Sequence, residues 1–361
     1  MQLDHYATLG RSGLRVSPLC LGGMTFGLER GWGSSVEESK QVIDRYLDQS
    51  GNFIDTANSY NLGHSEKIIG DHITNDRSKR DRIVVATKFS ANLHDGDPNG
   101  GGGNRKSIIA ACEQSLRRLQ TDYIDLYWMH WWDKFTPIEE TMAAMDSLVT
   151  SGKVRYIGFS NTPGWKIAQA QVTASFLKQT PLIALQIEYS LLERTVEGEL
   201  LPLAEEFGLG VTPWSPLRGG ILSGKYTRDN LAESKPGRGD LMKSRIDERT
   251  FTILDRLQEI AASNNTTVAR VALAWLRSRP TVSSIIIGAR TMEQLEENLA
   301  SLEVELPADD IAALDNLTRP RFNYPNNILS QGRLTGYGGL TINGESFPES
   351  PLGRPTADKV Y

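Results

Sequence analysis

The sequence predicts an α/β protein whose parallel strands close into an eight-stranded (β/α)8 barrel. A short β-hairpin precedes the barrel and an extended tail follows it. Three observations carry this expectation. Apolar strand-like runs alternate with amphipathic helical stretches, which implies a parallel sheet covered by helices. Successive runs end in one polar side chain each, as barrel strands do where they deliver reactive groups to their carboxyl-end face. The turn after the first run, Leu21-Gly22-Gly23-Met24-Thr25-Phe26-Gly27, lacks the Gly-x-Gly-x-x-Gly spacing that an open doubly wound sheet usually carries there.

Taken in chain order, residues 8–18 alternate around Gly10-Arg11-Ser12-Gly13 and read as the hairpin. The strand-like runs cover residues 19–22, 52–55, 83–88, 123–130, 154–160, 183–187, 210–214 and 284–288. Helical stretches lie at 36–49, 65–72, 105–119, 138–150, 164–178 and 196–207, then at 250–263 and 268–277. Three segments break the rhythm. Residues 94–104 form a Gly-rich loop, residues 216–248 form a long insertion before the last strand, and residues 319–361 are rich in Gly, Pro, Asn and Ser. The first two follow strand ends on the expected active face, and the tail can wrap the barrel.

The 361-residue chain is 39% hydrophobic and 23% charged, a balance that suits one soluble globular domain. The barrel is expected at about residues 6–317 and the tail at 319–361. A net charge of −5 gives no bulk electrostatic reason to hold nucleic acid or an anionic membrane. The start, Met1-Gln2-Leu3-Asp4-His5, lacks the pattern of a signal peptide, and no run approaches the ~18 apolar residues of a membrane span. Cys20 and Cys112 read as reduced, buried thiols of a cytoplasmic protein. The five histidines show no metal-ligand spacing, so no metal is expected. Nothing in the chain sets an oligomeric state.

The chemistry lies at the run ends. Asp55 closes Asn52-Phe53-Ile54 and Tyr60 follows in the next loop; Lys88 and His130 close the third and fourth runs. A phenol, an amine to tune it, a carboxylate to hold the amine and an imidazole beside them suit proton transfer at a carbonyl or alcohol oxygen. An unperturbed phenol has a pKa of about 10, and a nearby ammonium favours the phenolate, so Lys88 is expected to lower Tyr60. Such a site moves protons but supplies no hydride; that is a cofactor's task. Plainer readings exist for each residue: Asp55 as a helix cap, Lys88 as a strand-end lysine, His130 as a satisfied core histidine. Their occurrence in series favours the site.

A dinucleotide site is expected beside them. Ile287-Gly288-Ala289-Arg290 ends the eighth strand and a helix follows with Gln294, Glu297 and Asn298, a place where barrels often hold phosphate. Arg290 adds a guanidinium suited to phosphate oxygens, and it is otherwise ill placed beside a helix N-terminus. Trp214-Ser215-Pro216-Leu217-Arg218-Gly219-Gly220, followed by Lys225, can cradle a pyrophosphate. Ser160, Asn161 and Gln186 end the fifth and sixth strands; the two amides can complement a nicotinamide carboxamide. Tyr189 or Trp214 can stack on the ring. Gly23 and Met24 add contacts from the first strand's end. Phe26, Trp32, Phe89, Trp131 and Trp132 are the expected walls of an apolar substrate pocket.

With these residues in place, the chain resembles the aldo-keto reductase family, in its bacterial-type NADPH-dependent branch. The matching stretches are Phe53-Ile54-Asp55-Thr56-Ala57 with Tyr60, Gly63 and Glu66, then Ser115-Leu116-Arg117-Arg118-Leu119, Asp122-Tyr123-Ile124-Asp125-Leu126-Tyr127 and Gly152-Lys153-Val154-Arg155-Tyr156-Ile157-Gly158-Phe159-Ser160-Asn161, together with the segment from Gly288 to Asn298. The resemblance implies NADPH/NADP+ extended across the carboxyl face and Tyr60 as general acid, with Lys88, Asp55 and His130 completing a tetrad. It also implies adenosine or 2′-phosphate contacts from Arg290, Gln294 and Asn298, and a small-molecule carbonyl or alcohol as substrate. Two alternatives remain open at this point: a barrel that binds NADPH as a sensor with negligible turnover, and a lyase or isomerase using Lys88 as a Schiff base.

Overall fold

The computed structural model describes residues 1–228 and 246–350. Its central sheet has eight strands, β1 Leu19–Gly22, β2 Phe53–Asp55, β3 Val84–Phe89, β4 Ile124–Met129, β5 Val154–Ser160, β6 Leu182–Glu188, β7 Gly210–Trp214 and β8 Ile285–Gly288. Every neighbouring pair is parallel, and β8 lies against β1. The ring closes because Val211 of β7 bridges Val282 just ahead of β8, with Val211 donating to the Thr281 carbonyl at 3.1 Å. The eight-stranded barrel is therefore present, with strand ends within two residues of those read from sequence.

The helices are α1 Val36–Asp48, α2 His64–Ile69, α3 Arg105–Leu119, α4 Ile138–Thr150, α5 Gly164–Leu177, α6 Leu200–Phe207, α7 Glu248–Ser263, α8 Val268–Arg277, α9 Met292–Ala300 and α10 Ala308–Leu317. Their starts are chemically marked. Ser35 and Glu38 form a reciprocal capping box on α1, and Asn104, Asp247, Thr267 and Thr291 cap α3, α7, α8 and α9.

Two apolar layers follow from the strand period of two. The inner layer fills the barrel with Cys20, Phe53, Val84, Ala86, Leu126, Trp128 and Ala184. The outer layer packs Ile54, Val85, Phe89, Met129, Ile157 and Phe159 against the helices. Asp55 shares the inner side with Phe53, and Lys88 shares it with Val84 and Ala86, so both project into the barrel at its carboxyl end. The hairpin pairs Ala7–Thr8 with Arg15–Val16 and puts Leu9 and Val16 into the inner layer. At the turn, Gly10 has φ +60, and a Cβ there would meet the Ile183 carbonyl at 2.3 Å, so the hairpin presses on the amino end of the barrel. Cys20 and Cys112 are free and buried.

The tail holds more structure than its composition predicts. Helix α11, Asn326–Tyr337, follows the barrel, and Thr341–Ile342 then pairs with Glu345–Ser346. Phe322 reaches the loop between β6 and α6, lying 2.8 Å from where a Cβ on Gly198 would be. Residues 229–245 of the insertion and 351–361 of the tail lie outside the described residues.

Candidate active site

Strand order brings the four polar residues together. Gly22 pairs with Asp55, Asp55 with Ala86, and Lys88 with Trp128, so the ends of β1 to β4 lie side by side. Lys88 is fully buried, and its ammonium has an acceptor for each of its three protons. It pairs with Asp55 Oδ2, donates to the Thr56 carbonyl at 2.8 Å, and donates to the Tyr60 oxygen at 3.1 Å. Asp55 is fixed from its other side by Gln186, whose Nε2 donates to Oδ1 at 3.0 Å.

Tyr60 reaches this cluster from the loop after β2. The chain turns sharply behind it: Asn61 and Leu62 are left-handed at φ 47 and 57, and Gly63 at φ 90. Asn61 locks the turn by donating to the Phe26 carbonyl at 2.6 Å. The half-buried Tyr60 ring meets His130 edge-on, with centroids 5.9 Å apart. His130 in turn stacks on Trp131 at 3.7 Å, and among the described residues its buried Nδ1 has no hydrogen-bond partner.

Burial dominates the electrostatics. It raises the Tyr60 phenol above its usual range, and the neighbouring Lys88 charge only partly opposes this. Lys88 does pull the phenol down, as expected, but burial outweighs it, and the phenol keeps its proton at neutral pH. Burial works against the Lys88 ammonium, but the Asp55 carboxylate and Tyr60 oxygen outweigh it, and the amine lies above its ordinary value. Burial also lifts the Asp55 carboxyl, against the pull of Lys88. His130 is pushed down to about 2 by burial, with Lys88 and Arg30 adding to the effect, so its imidazole is neutral.

Beside this cluster, a cavity of about 1310 Å³ opens at the ends of β1, β7 and β8. It exceeds the ~300–1,000 Å³ of an ordinary small-molecule pocket, as an extended dinucleotide requires. Met24, Ser215, Leu217, Gly219, Lys225, Gly288, Arg290, Gln294, Glu297 and Asn298 line it, all of them residues expected to hold the cofactor. Gly219 and Gly220 are left-handed at φ 65 and 94, a conformation that glycine adopts without strain. The Arg290 guanidinium is exposed at the cavity wall and makes no ion pair with a described residue. These features fit a phosphate-bearing ligand.

A family profile described as the Aldo/keto reductase family matches residues 18–319. The chain belongs to the aldo/keto reductase family. Among similar proteins are an uncharacterized oxidoreductase of Bacillus subtilis, 39% identical over 87% of this chain and 95% of its own length; a norsolorinic acid reductase of Aspergillus flavus, 33% identical over 92% and 86%; and an aryl-alcohol dehydrogenase of Pestalotiopsis microspora, 33% identical over 93% and 86%. The family is one of oxidoreductases whose members generally use nicotinamide cofactors.

Other expected positions in this aldo/keto reductase are already engaged by their neighbours. Glu297 is held by Arg270 at 2.7 Å and by Thr267, Gln294 accepts from the Arg290 backbone at 2.9 Å, and Asn298 donates to the Gly288 carbonyl at 3.2 Å. Asn161 donates to the His130 carbonyl and to Ser160, each at 3.0 Å. Gly23 is buried, and its carbonyl accepts from Ser65 at 2.7 Å. Trp214 is half-buried on a smaller cavity of about 340 Å³ shared with Asn161, whereas Tyr189 is fully buried against Trp275 and cannot stack on a ligand.

Two expected pocket walls are corrected. Phe89 follows the inward Lys88 and so faces outward, where it packs on Tyr127 at 5.0 Å. Phe26 is fully buried in the same outer layer. Trp32 lines the large cavity, Trp131 is 45% exposed over His130, and Trp132 packs edge-on against Trp165. Sequence reading missed two contributors, the Thr56 carbonyl and Arg30, and named Glu66 as a matching residue without its role. The Thr56 carbonyl carries no side-chain signal. Glu66 bonds Thr87 at 2.5 Å and Arg118 at 2.6 Å behind Lys88, a link visible only in three dimensions. Arg30 donates to the Ser59 carbonyl at 2.8 Å, next to Tyr60; its isolation in a Gly-rich loop was the available signal.

Proposed function

We propose that this protein is an NADPH-dependent oxidoreductase that reduces aldehydes or ketones to alcohols, with Tyr60 as general acid. The observation that carries this reading is the 3.1 Å contact between the Lys88 ammonium and the Tyr60 oxygen. Reduction of a carbonyl places a hydride on carbon and a proton on oxygen. A bound nicotinamide dinucleotide supplies the hydride. The chain supplies the proton. Tyr60 carries it at neutral pH, and Lys88 stabilises the phenolate that remains after it leaves. Asp55, fixed by Gln186, holds the Lys88 ammonium in place. Neutral His130 orients the substrate oxygen toward Tyr60, and Trp131 and Trp32 exclude water around the reacting carbon.

Arg290, Lys225, Gly219 and the start of α9 would hold the phosphates, while Ser160, Asn161, Gln186 and Trp214 would border the nicotinamide end. The residues fit one domain over 1–361, acting in the cytoplasm on a small carbonyl or alcohol. The Schiff-base alternative requires a free neutral amine, whereas Lys88 is charged and fully hydrogen-bonded. A screen of aldehydes and ketones, followed as NADPH oxidation at 340 nm, tests the proposal. Turnover is expected with at least one aromatic aldehyde. NADPH binding without turnover across the panel would instead establish the sensing barrel.

A further inference from the structure

Arg30 lies in the loop that connects β1 to α1. This loop is braced: Gly27 donates to the Ser34 carbonyl at 3.0 Å, Ser34 donates to the Thr25 carbonyl at 2.8 Å, and Gly31 donates to the Leu28 carbonyl at 2.9 Å. From the other side, Asn61 holds the Phe26 carbonyl, and Glu29 pairs with His64. The nearest acidic side chain in the sequence is thus turned away from Arg30. The guanidinium donates to the Ser59 carbonyl at 2.8 Å and makes no ion pair with any described residue. Ser59 is the residue before Tyr60. Leu28, Gly31 and Trp32, around Arg30 in the chain, line the large cavity.

Arg30 is exposed, yet this bond holds its guanidinium next to the residue before Tyr60, with four of its five N–H donors uncommitted to described residues, and a planar fork suits a carboxylate or phenolate. Two flat aromatic faces are at hand: Trp32, two residues from Arg30 in the chain, lines the large cavity, and Trp131 is exposed and stacked on His130. Arg30 also acts electrostatically on both Tyr60 and His130, as a charge near the reacting groups must.

We infer that Arg30 is a specificity-determining residue that anchors the negatively charged substituent of an aromatic carbonyl substrate, a carboxylate or phenolate on the ring. This deepens the reductase reading and rests on it for turnover, but the anion site itself is testable without turnover. The carboxylate end sits on the Arg30 fork, the ring lies against the tryptophans, and the carbonyl reaches Tyr60. A neutral ring binds through the aromatic faces alone.

The test compares 4-carboxybenzaldehyde with its methyl ester, in the wild type, Arg30→Gln and Arg30→Lys. Wild type is expected to have a KM for the acid about tenfold below that for the ester. Arg30→Gln should raise the acid's KM about tenfold relative to the ester's, and any change in kcat from removing a charge near Tyr60 and His130 should be common to both substrates. Arg30→Lys should recover part of the acid's affinity. Equal KM losses on acid and ester would overturn the anchor and leave Arg30 as a general electrostatic or structural group. In parallel, benzoate binding is titrated by tryptophan fluorescence. Quenching in wild type that weakens about tenfold in Arg30→Gln supports the site even if no aldehyde is reduced, a result that would sink the reductase reading alone. Identical benzoate affinity in both proteins overturns the anion site whatever the activity.

Discussion

At the ends of β2 and β3, the Lys88 ammonium lies fully buried with an acceptor for every proton, whereas at the end of β8 the Arg290 guanidinium lies exposed at a cavity wall, with no ion pair to a described residue. Both are cations at strand ends of one barrel face. The first is satisfied by its own chain, in keeping with its proposed task of holding a neighbouring phenol in one state. The second is the one proposed to take a partner from outside. Around Lys88 the supports come from the end of β2 and the loop that follows it; around Arg290 they come from a loop and a helix start. The cofactor side nonetheless has fixed members, since Glu297, Gln294 and Asn298 are tied to Arg270, the Arg290 backbone and Gly288.

Substitutions can break this contrast. Lys88→Met should have the largest effect. It abolishes turnover and leaves Asp55 buried without its cation, at a cost of about 3–5 kcal/mol in urea unfolding. The double variant with Asp55→Asn should recover part of that stability while staying inactive; no recovery would mean the pair does not act as a unit. Tyr60→Phe comes next, with a loss of about 10²–10⁴-fold in kcat and nearly unchanged NADPH affinity by fluorescence titration. The pH profile sharpens this assignment. With the phenol raised above its ordinary value, reduction should hold level through neutral pH and decline only beyond about pH 10, while alcohol oxidation, which needs the phenolate, should climb with pH. A reduction rate halved between pH 6 and 8 would contradict the protonated phenol.

Arg290→Ala should weaken NADPH by about ten- to hundredfold and NADH much less, with little effect on folding. Matched losses for both nucleotides would argue against a 2′-phosphate contact and would weaken the contrast with Lys88. Thr291→Ala is the smallest change. It removes the cap of α9 and should cost about 1 kcal/mol in thermal unfolding, with a modest loss of nucleotide affinity.

The fold and the strand-end cluster were legible because both follow from the strand period. Asp55 and Lys88 had to point inward once Phe53, Val84 and Ala86 did, and side-chain caps mark the starts of α1, α3, α7, α8 and α9. The same period contained the correction for Phe89: a residue after an inward lysine faces the helices. Other features could not be read in advance. Glu297 finds Arg270 on a neighbouring helix, and Tyr189 finds Trp275, pairs set by packing and not by spacing. The direction of the Tyr60 shift depended on burial against charge, and sequence names the charge but not the depth. Helix α11 in the tail was masked by a composition that otherwise signals loops.

The hairpin at the amino end sets one further condition. Leu9 and Val16 fill that end with apolar side chains, and the turn at Gly10 seals against Gly210. In the proposed mechanism, the proton that Tyr60 gives up must be replaced through the same mouth that admits substrate. A product still seated there blocks the refill, so each departure also recharges the acid. The stopper makes the barrel a single-ended vessel, and the exchange of molecules at its mouth is also the exchange of protons.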